Sequence, residues 1–151
     1  MLNQRELELS ANFGSALRVL LGTERKLFKL ASISIQLVAS IKMNQIFVLY
    51  NERGAPVAYA VWAFLSDEVS TEMAANESRL LHCSEWNEGL NLWLMDFVAP
   101  FGHARELAAK LRCEVFNNHS RLRAVRTNAD GTIRRIVDRQ WAKPFRPLKE
   151  T

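Results

Sequence analysis

The sequence predicts a single α/β (α+β) domain with a central, mostly antiparallel sheet flanked by helices. The chain has 151 residues, which suits one domain, and 48% of them are hydrophobic, enough for a packed core. Apolar residues recur at helical spacing near the start of the chain and form strand-like runs after it. The elements follow the order α-α-β-β-α-β-α-β-β, and this mixture within one domain indicates a single sheet packed against helices.

Two helices are predicted to open the chain. Residues 4–21 place an apolar stripe on one helical face, and Gly22 is a typical residue to end such a helix. Residues 24–42 carry a second apolar stripe at the same spacing. The simplest interpretation is that both stripes face the core.

A hairpin and a third helix are predicted next. Residues 45–50 and 56–64 are rich in β-branched and aromatic side chains, and turn-forming residues 51–54 separate them. Ser66 is a typical residue to cap a helix, which we expect to span 66–81. A loop is expected at 85–89.

The strand predicted at 90–98 is apolar on both faces, which is typical of a central strand covered on both sides. A short helix at 103–112 follows it. Arg121–Thr127 and residues 132–137 then flank the turn signal at 128–131, which indicates a second hairpin. The predicted domain covers residues 1–140, and residues 141–151 form a tail.

Asp96 breaks the apolar pattern of the central strand. Strict alternation would place it on the face of Leu92, Leu94 and Val98, with Trp93, Met95 and Phe97 on the other face. An isolated ionised carboxylate is costly to bury, so Asp96 is either functional or paired with an arginine such as Arg126. The residue types alone leave both interpretations open.

The turn after this strand is a second candidate for chemistry. Pro100 and Gly102 lead the chain into the next helix, and the N–H groups around Phe101, Gly102 and His103 are suited to an oxyanion. His103 is also a candidate base near neutral pH. Turns of this kind are common, so the pattern by itself is weakly specific.

Charge is distributed unevenly along the chain. Residues 121–149 hold nine basic residues against two aspartates, whereas residues 1–120 have a net charge of −2. A basic segment of this kind attracts acidic partners, such as an acidic carrier protein or nucleic acid, although it is also compatible with a solvated strand pair. Because no nucleic-acid-binding motif accompanies the charge, we do not expect nucleic acid as the partner.

Cellular location is read from the cysteines and from the apolar segments. Cys83 and Cys113 fit no zinc-binding spacing, so we expect reduced thiols and no metal site. The sequence shows neither a signal-peptide pattern nor an apolar run long enough to cross a membrane. We therefore expect a cytoplasmic protein without a membrane span.

Three segments carry a resemblance to a known family. They are PVAYAVWAFLS at 56–66, WLMDFVAPFGH at 93–103 and RLRAVR at 121–126, together with the pair Asn44-Gln45. In this combination the chain resembles the RTX-toxin-activating lysine acyltransferases over roughly residues 15–137. The stretch MDFVAPFG is the most specific part of the match.

The resemblance implies a fold similar to that of the GCN5-type acetyltransferases. It also implies a cytoplasmic enzyme that moves a fatty acyl group from acyl carrier protein to internal lysines of an RTX protoxin, forming an amide. Acyl–acyl carrier protein is then a co-substrate, no cofactor is tightly bound, and a homodimer is left open. The family's catalytic aspartate falls on Asp96, and its strand arginine falls on Arg126.

The chain departs from the family at a Ser-x-x-His segment, whose serine and histidine positions fall on Gly22 and Arg25. An arginine cannot act as a base at neutral pH, and no histidine occurs before His82. Three alternatives follow. Glu24 or His103 supplies the base beside Asp96; or the chain is a catalytically impaired homologue that binds acyl carrier protein or a toxin-like partner; or transfer runs slowly through positioning alone.

Overall fold

The structure, a computed structural model, describes residues 3–24, 30–76, 79–127 and 133–140. Within these ranges the element order confirms the prediction. The elements are α1 (Gln4–Leu20), α2 (Leu30–Lys42), β1 (Ile46–Tyr50), β2 (Pro56–Leu65), α3 (Asp67–Ala75), a 3₁₀ helix (Cys83–Trp86), β3 (Asn91–Val98), α4 (Ala104–Lys110), a π-helical turn (Leu111–Val115), β4 (Arg121–Thr127) and β5 (Ile133–Gln140). No helix in these ranges is both long and apolar enough to cross a membrane.

One five-stranded sheet, in the order β1-β2-β3-β4-β5, forms the centre of the fold. All neighbouring strands are antiparallel except β3 and β4, so the predicted mostly antiparallel sheet with a central β3 is confirmed. Parallel neighbours need a crossover connection, and α4 supplies it between β3 and β4. The parallel ladder pairs Trp93 with Arg123 and Leu94 with Ala124.

The two faces of the sheet bury different helices. On one, which we name the α1 face, the core is formed with α1, α2 and α3; it includes Ala16, Val19, Leu20, Leu37, Ile41, Tyr59, Val61, Met73, Trp93, Met95, Val98 and Val125. On the other, the α4 face, the core is formed with α4 and the π-helical turn; it includes Leu49, Val57, Ala60, Trp62, Leu92, Leu107, Leu111 and Phe116. The central strand is therefore covered on both sides, as its apolar pattern predicts.

The segment after α3 differs from the prediction. The helix ends at Ala75 instead of at residue 81, and Cys83–Trp86 forms a 3₁₀ helix that overlaps the loop expected at 85–89. Arg79 binds Glu85 with both ends of its guanidinium, at 2.7 and 3.0 Å, and the His82 N–H donates to the same carboxylate at 2.8 Å. These bonds hold the pKa of Glu85 at about 2 and stabilise a compact turn in place of a longer helix.

Other differences and gaps are smaller. β5 continues to Gln140, beyond the expected end at residue 137, because it pairs along the whole of β4. The beginning of the predicted second helix at 25–29, the turn at 128–131 and the tail at 141–151 lie outside the described residues.

Candidate functional site

Asp96 is a buried carboxylate near the end of β3, with 5% of its surface exposed. The Tyr59 hydroxyl donates a hydrogen bond to its Oδ2 at 3.0 Å, and the Phe97 backbone N–H donates to its Oδ1 at 3.0 Å. One hydrogen bond to each oxygen holds the carboxyl group in one orientation. A fixed negative charge beside the end of a strand is suited to holding a cation.

The face predicted for Asp96 is wrong. Along the β2–β3 ladder Val61 lies opposite Asp96, but the next residue, Trp62, lies opposite Leu94, so Met95 is an extra residue in β3. Such a bulge shifts the alternation by one residue, and the side chains beyond it change faces. Asp96 therefore lies on the α1 face near Tyr59 and Val61, and Val98 joins the core on that face.

Phe97 changes face for the same reason. It packs with the α4-face core beside Leu92 and Leu94, although strict alternation placed it with Trp93. Arg126, considered above as an ion-pair partner of Asp96, is exposed at the end of β4 and lines a groove with Phe97 and Leu94.

Tyr59 is the functional candidate that the sequence reasoning missed. It lies in the middle of β2, is 1% exposed and aims its hydroxyl at Asp96. The signal was present in the sequence, because a tyrosine within an otherwise apolar buried strand needs a hydrogen-bond partner. What was absent was the register between β2 and β3, which decides which residue that partner is.

The turn after β3 contacts the end of α1. Gly102 has a φ of +89°, a left-handed conformation that favours glycine. The ring of Phe101 lies directly against Gly22, so a Cβ at position 22 would overlap the ring atoms. This contact brings Phe101 and Gly102 to the segment that holds Glu24, which is exposed two residues beyond Gly22.

His103 has a different environment. Its Nδ1 lies 3.3 Å from Oε2 of Glu106, and the ring lines a cavity of about 440 Å³ with Tyr50, Asn51, Glu52 and Arg53 of the β1–β2 turn. His103 thus lies beside the first turn of α4 and the β1–β2 turn, whereas Asp96 is hydrogen-bonded to Tyr59. Glu24, the other candidate base, follows helix α1, which packs on the same face of the sheet as Asp96.

Comparison with known proteins identifies the family. Residues 6–140 match the family model described as the RTX toxin acyltransferase family (HlyC). The chain belongs to this family. The resemblance noted in the sequence is thereby confirmed, and the matched range contains Asp96, Tyr59, the turn at 99–103 and both strands of the second hairpin.

Individual relatives support the same assignment. The chain is 32% identical over 81 residues to the lysine-acyltransferase RtxC of Vibrio cholerae, which covers 54% of this chain and 52% of that protein. It is 28% identical over 120 residues to the leukotoxin-activating lysine-acyltransferase LtxC of Aggregatibacter actinomycetemcomitans, covering 76% and 70%. It is also 33% identical over 96 residues to the uncharacterized protein sll0720 of Synechocystis, covering 63% and 64%. The match thus spans about half of the Vibrio relative and just under two thirds of the Synechocystis one.

Gly22, which the resemblance sets at a serine position, is tightly packed against the turn after β3. The Phe101 ring occupies the space that any side chain at position 22 would need. A serine there would displace the ring, so the glycine and the position of the turn after β3 depend on each other. Arg25, which the resemblance sets at a histidine position, lies outside the described residues.

Proposed function

We propose that this chain is a protein-lysine acyltransferase that moves a fatty acyl group from acyl carrier protein to internal lysines of an RTX protoxin. The observation that carries the proposal is the buried Asp96, held by Tyr59 within the stretch most specific to the family. Two relatives are named as lysine-acyltransferases, which supports the reaction class, and one of them is named as leukotoxin-activating, which supports a toxin acceptor. Acyl carrier protein as donor and the cytoplasm as location follow from the resemblance.

The reaction requires a neutral lysine amine to attack the thioester carbonyl of the donor. The incoming ammonium first gives one proton to a base, and the neutral amine forms a C–N bond to the carbonyl, which becomes the oxyanion of a tetrahedral intermediate. The intermediate then collapses to the amide as the C–S bond breaks, and the second proton of the amine passes to the carrier thiolate, which leaves as the thiol. Asp96 would hold the incoming ammonium through its charge, which acts more strongly in a buried site than in water. Tyr59 would act as a positioning residue by keeping the carboxylate in one orientation.

The proton acceptor in this proposal is Glu24. The contact between Phe101 and Gly22 supports this assignment, because it joins the segment before Glu24 to the turn after β3. His103 is the other candidate, and its Nδ1 lies 3.3 Å from Oε2 of Glu106. The backbone amides around Phe101, Gly102 and His103 would stabilise the oxyanion of the tetrahedral intermediate.

A transfer assay tests the proposal. Acyl–acyl carrier protein, the full chain and a lysine-bearing protoxin fragment are mixed, and amide formation is followed by mass spectrometry. We expect transfer by the wild type and its loss in Asp96→Asn, which keeps the side-chain shape and removes the charge. The matched control is Asp67→Asn, the same chemical change at an exposed aspartate in α3. Equal activity of Asp96→Asn and wild type would refute the role of Asp96.

A second candidate function is a non-catalytic binding module for acyl carrier protein or a toxin-like partner. Gly22 and Arg25 at the family's serine and histidine positions favour it, because neither residue can take a proton from an amine at neutral pH. Carrier binding without amide formation would support this module. Transfer that depends on Asp96 would exclude it.

A further inference from the structure

The second hairpin places an open groove on the α4 face of the sheet. The groove has a volume of about 490 Å³ and lies over β3, β4 and β5. Its α4-face residues are Leu94, Phe97, Ala124, Arg126, Arg135, Val137 and Arg139, and it is also bordered by Val125, which belongs to the α1-face core. Helix α4, through Leu107, and the π-helical turn, through Leu111, pack against the β1–β3 side of this face. The part of the face built by β4 and β5 thus presents partly buried apolar side chains between exposed arginines.

The arginines of this groove are placed where their charges repel one another. Arg126 and Arg135 lie directly opposite each other on β4 and β5, an arrangement in which like charges repel. Within the part of the chain that the structure describes, no ion pair engages Arg126, Arg135 or Arg139. An unfavourable charge arrangement that the fold does not compensate is typical of a surface that meets a charged partner.

The spacing of the charges favours a helix as that partner. Arg135 and Arg139 are four residues apart on β5, which corresponds to about 13 Å along a strand. Acidic side chains two turns apart on a helix are separated by about 11 Å, with apolar side chains between them on the same face. Val137 and Ala124, which lie opposite each other between the two charged ends, would meet those apolar side chains. A ligand with a single anionic group would leave one end of the groove unmatched.

We propose that this arginine groove docks an acidic amphipathic helix of the protein that carries the acyl group. The identity of the carrier rests on the proposed function. The acidic and apolar character of the docked helix rests on the residues of the groove. The occupant contributes acidic residues to Arg126, Arg135 and Arg139 and an apolar stripe to the floor. Attraction between such surfaces raises the association rate and weakens as salt screens the charges.

A direct binding measurement tests the groove without requiring catalysis. The full chain is immobilised, and a purified acyl carrier protein without its acyl group is titrated at about 50 and about 300 mM salt. We expect Arg135→Glu/Arg139→Glu to raise Kd by about tenfold or more at low salt. The control is Arg5→Glu/Arg18→Glu on α1, which makes the same change in net charge at two exposed arginines on one element. If both double variants raised the Kd equally, the effect would come from the overall charge, and the docking proposal would be wrong.

Competition identifies the class of occupant. A single-stranded RNA and an anionic lipid vesicle are each added to the preformed complex. The proposal predicts that an acidic helical peptide taken from the carrier displaces the carrier at lower concentration than either competitor. Tighter binding of the RNA or the vesicle, lost in Arg135→Glu/Arg139→Glu, would overturn the assignment of a protein helix.

Transfer measurements separate this inference from the proposed function. With acyl–acyl carrier protein as donor, we expect the double variant to raise KM and leave kcat unchanged; with a small acyl thioester that lacks the carrier protein, we expect no change. Transfer from the carrier that is insensitive to the variant would overturn the groove and leave the enzyme intact. Carrier binding that needs the groove, in a wild type that transfers from neither donor, would support the groove and refute the enzyme.

Discussion

The two faces of the second hairpin carry arginines in opposite circumstances. On the α1 face, Arg121 binds Asp138 at 2.6 Å, and Arg123 donates to the buried Ser70 at 2.6 Å and reaches the same aspartate at 3.3 Å. On the α4 face, Arg126 and Arg135 lie across from each other with no acid between them in the described structure. Among the described residues, the positive charge of this basic segment therefore divides into two features, a structural network on one face and an open cationic groove on the other.

The α1-face network extends into the core. Ser70 accepts a hydrogen bond from the Trp93 indole N–H at 2.9 Å, and the Arg123 guanidinium lies 5.5 Å from the centre of the Trp93 ring. Arg121 and Arg123 thus contact other side chains of the chain, and Asp96 is buried on the same face. Burial and pairing thus distinguish the charged side chains suited to chemistry or folding from those suited to docking.

The largest expected effect is on the transfer rate, and it should come from the α1 face without a change in carrier binding. We expect Asp96→Asn to lower the transfer rate by about 100-fold or more, since it removes the charge that we propose to hold the lysine. The Kd for the carrier should not change, because the proposed docking groove lies on the opposite face. Rate and Kd are measured on the same preparations, and a Kd that rises in step with the loss of transfer would break the comparison.

Ser70→Ala tests the internal network. The variant leaves the buried Trp93 N–H without its acceptor and removes a partner of Arg123, so we expect the free energy of unfolding to fall by about 2 kcal/mol. Urea unfolding measures it, with Ser10→Ala on the exposed surface of α1 as the control. A change below that of the control would show that the network does not stabilise the fold.

Tyr59→Phe tests positioning beside the carboxylate. Loss of the hydroxyl removes one of the hydrogen bonds that orient Asp96, so we expect kcat to fall by about tenfold while KM stays the same. Tyr50→Phe is the matched control, because Tyr50 is exposed and its hydroxyl pairs with Ser15 at 3.0 Å. Equal kcat in both variants, or a change in KM alone, would assign Tyr59 a structural role only.

Arg135→Glu separates folding from docking on the α4 face. The new glutamate lies opposite Arg126, so repulsion becomes attraction and the free energy of unfolding should rise by about 0.5 kcal/mol. Carrier binding should weaken in the same variant. Thermal unfolding in low salt measures the first effect, and a loss of stability would mean that Arg135 has a folding role that the described contacts do not show.

The smallest effect concerns pH on the α1 face. The hydrogen bond from Arg121, followed by that from Arg123, lowers the pKa of Asp138 below its ordinary value of about 3.8. A group with a lowered folded pKa stabilises the protein above its unfolded pKa, and this contribution is lost as pH falls below about 3.8. We expect Asp138→Asn to flatten the pH dependence of the melting temperature in that range. An unchanged slope would show that the exposed pair adds nothing to stability.

Much of the architecture was predictable because local rules and packing agree. The helical stripe of α1, the turn at 51–54 and the apolar β3 each favour one structure, and the sheet confirms all three. The end of α3 was not predictable, because it depends on Arg79 reaching Glu85. Tyr59 was missed for a similar reason, since its partner lies 37 residues away along the chain.

The sequence by itself determined the order of elements, the central position of β3, the presence of a carboxylate within it and the basic character of the second hairpin. The tertiary structure decided which way those charges point. In a strand the side chains alternate with a period of two, so one extra residue at Met95 moves Asp96 to the α1 face, and only the pairing with β2 reveals that residue. The pairing of β4 with β5 likewise decides which arginines meet Asp138 and which meet each other, because register depends on contacts between strands and is not a property of either strand alone.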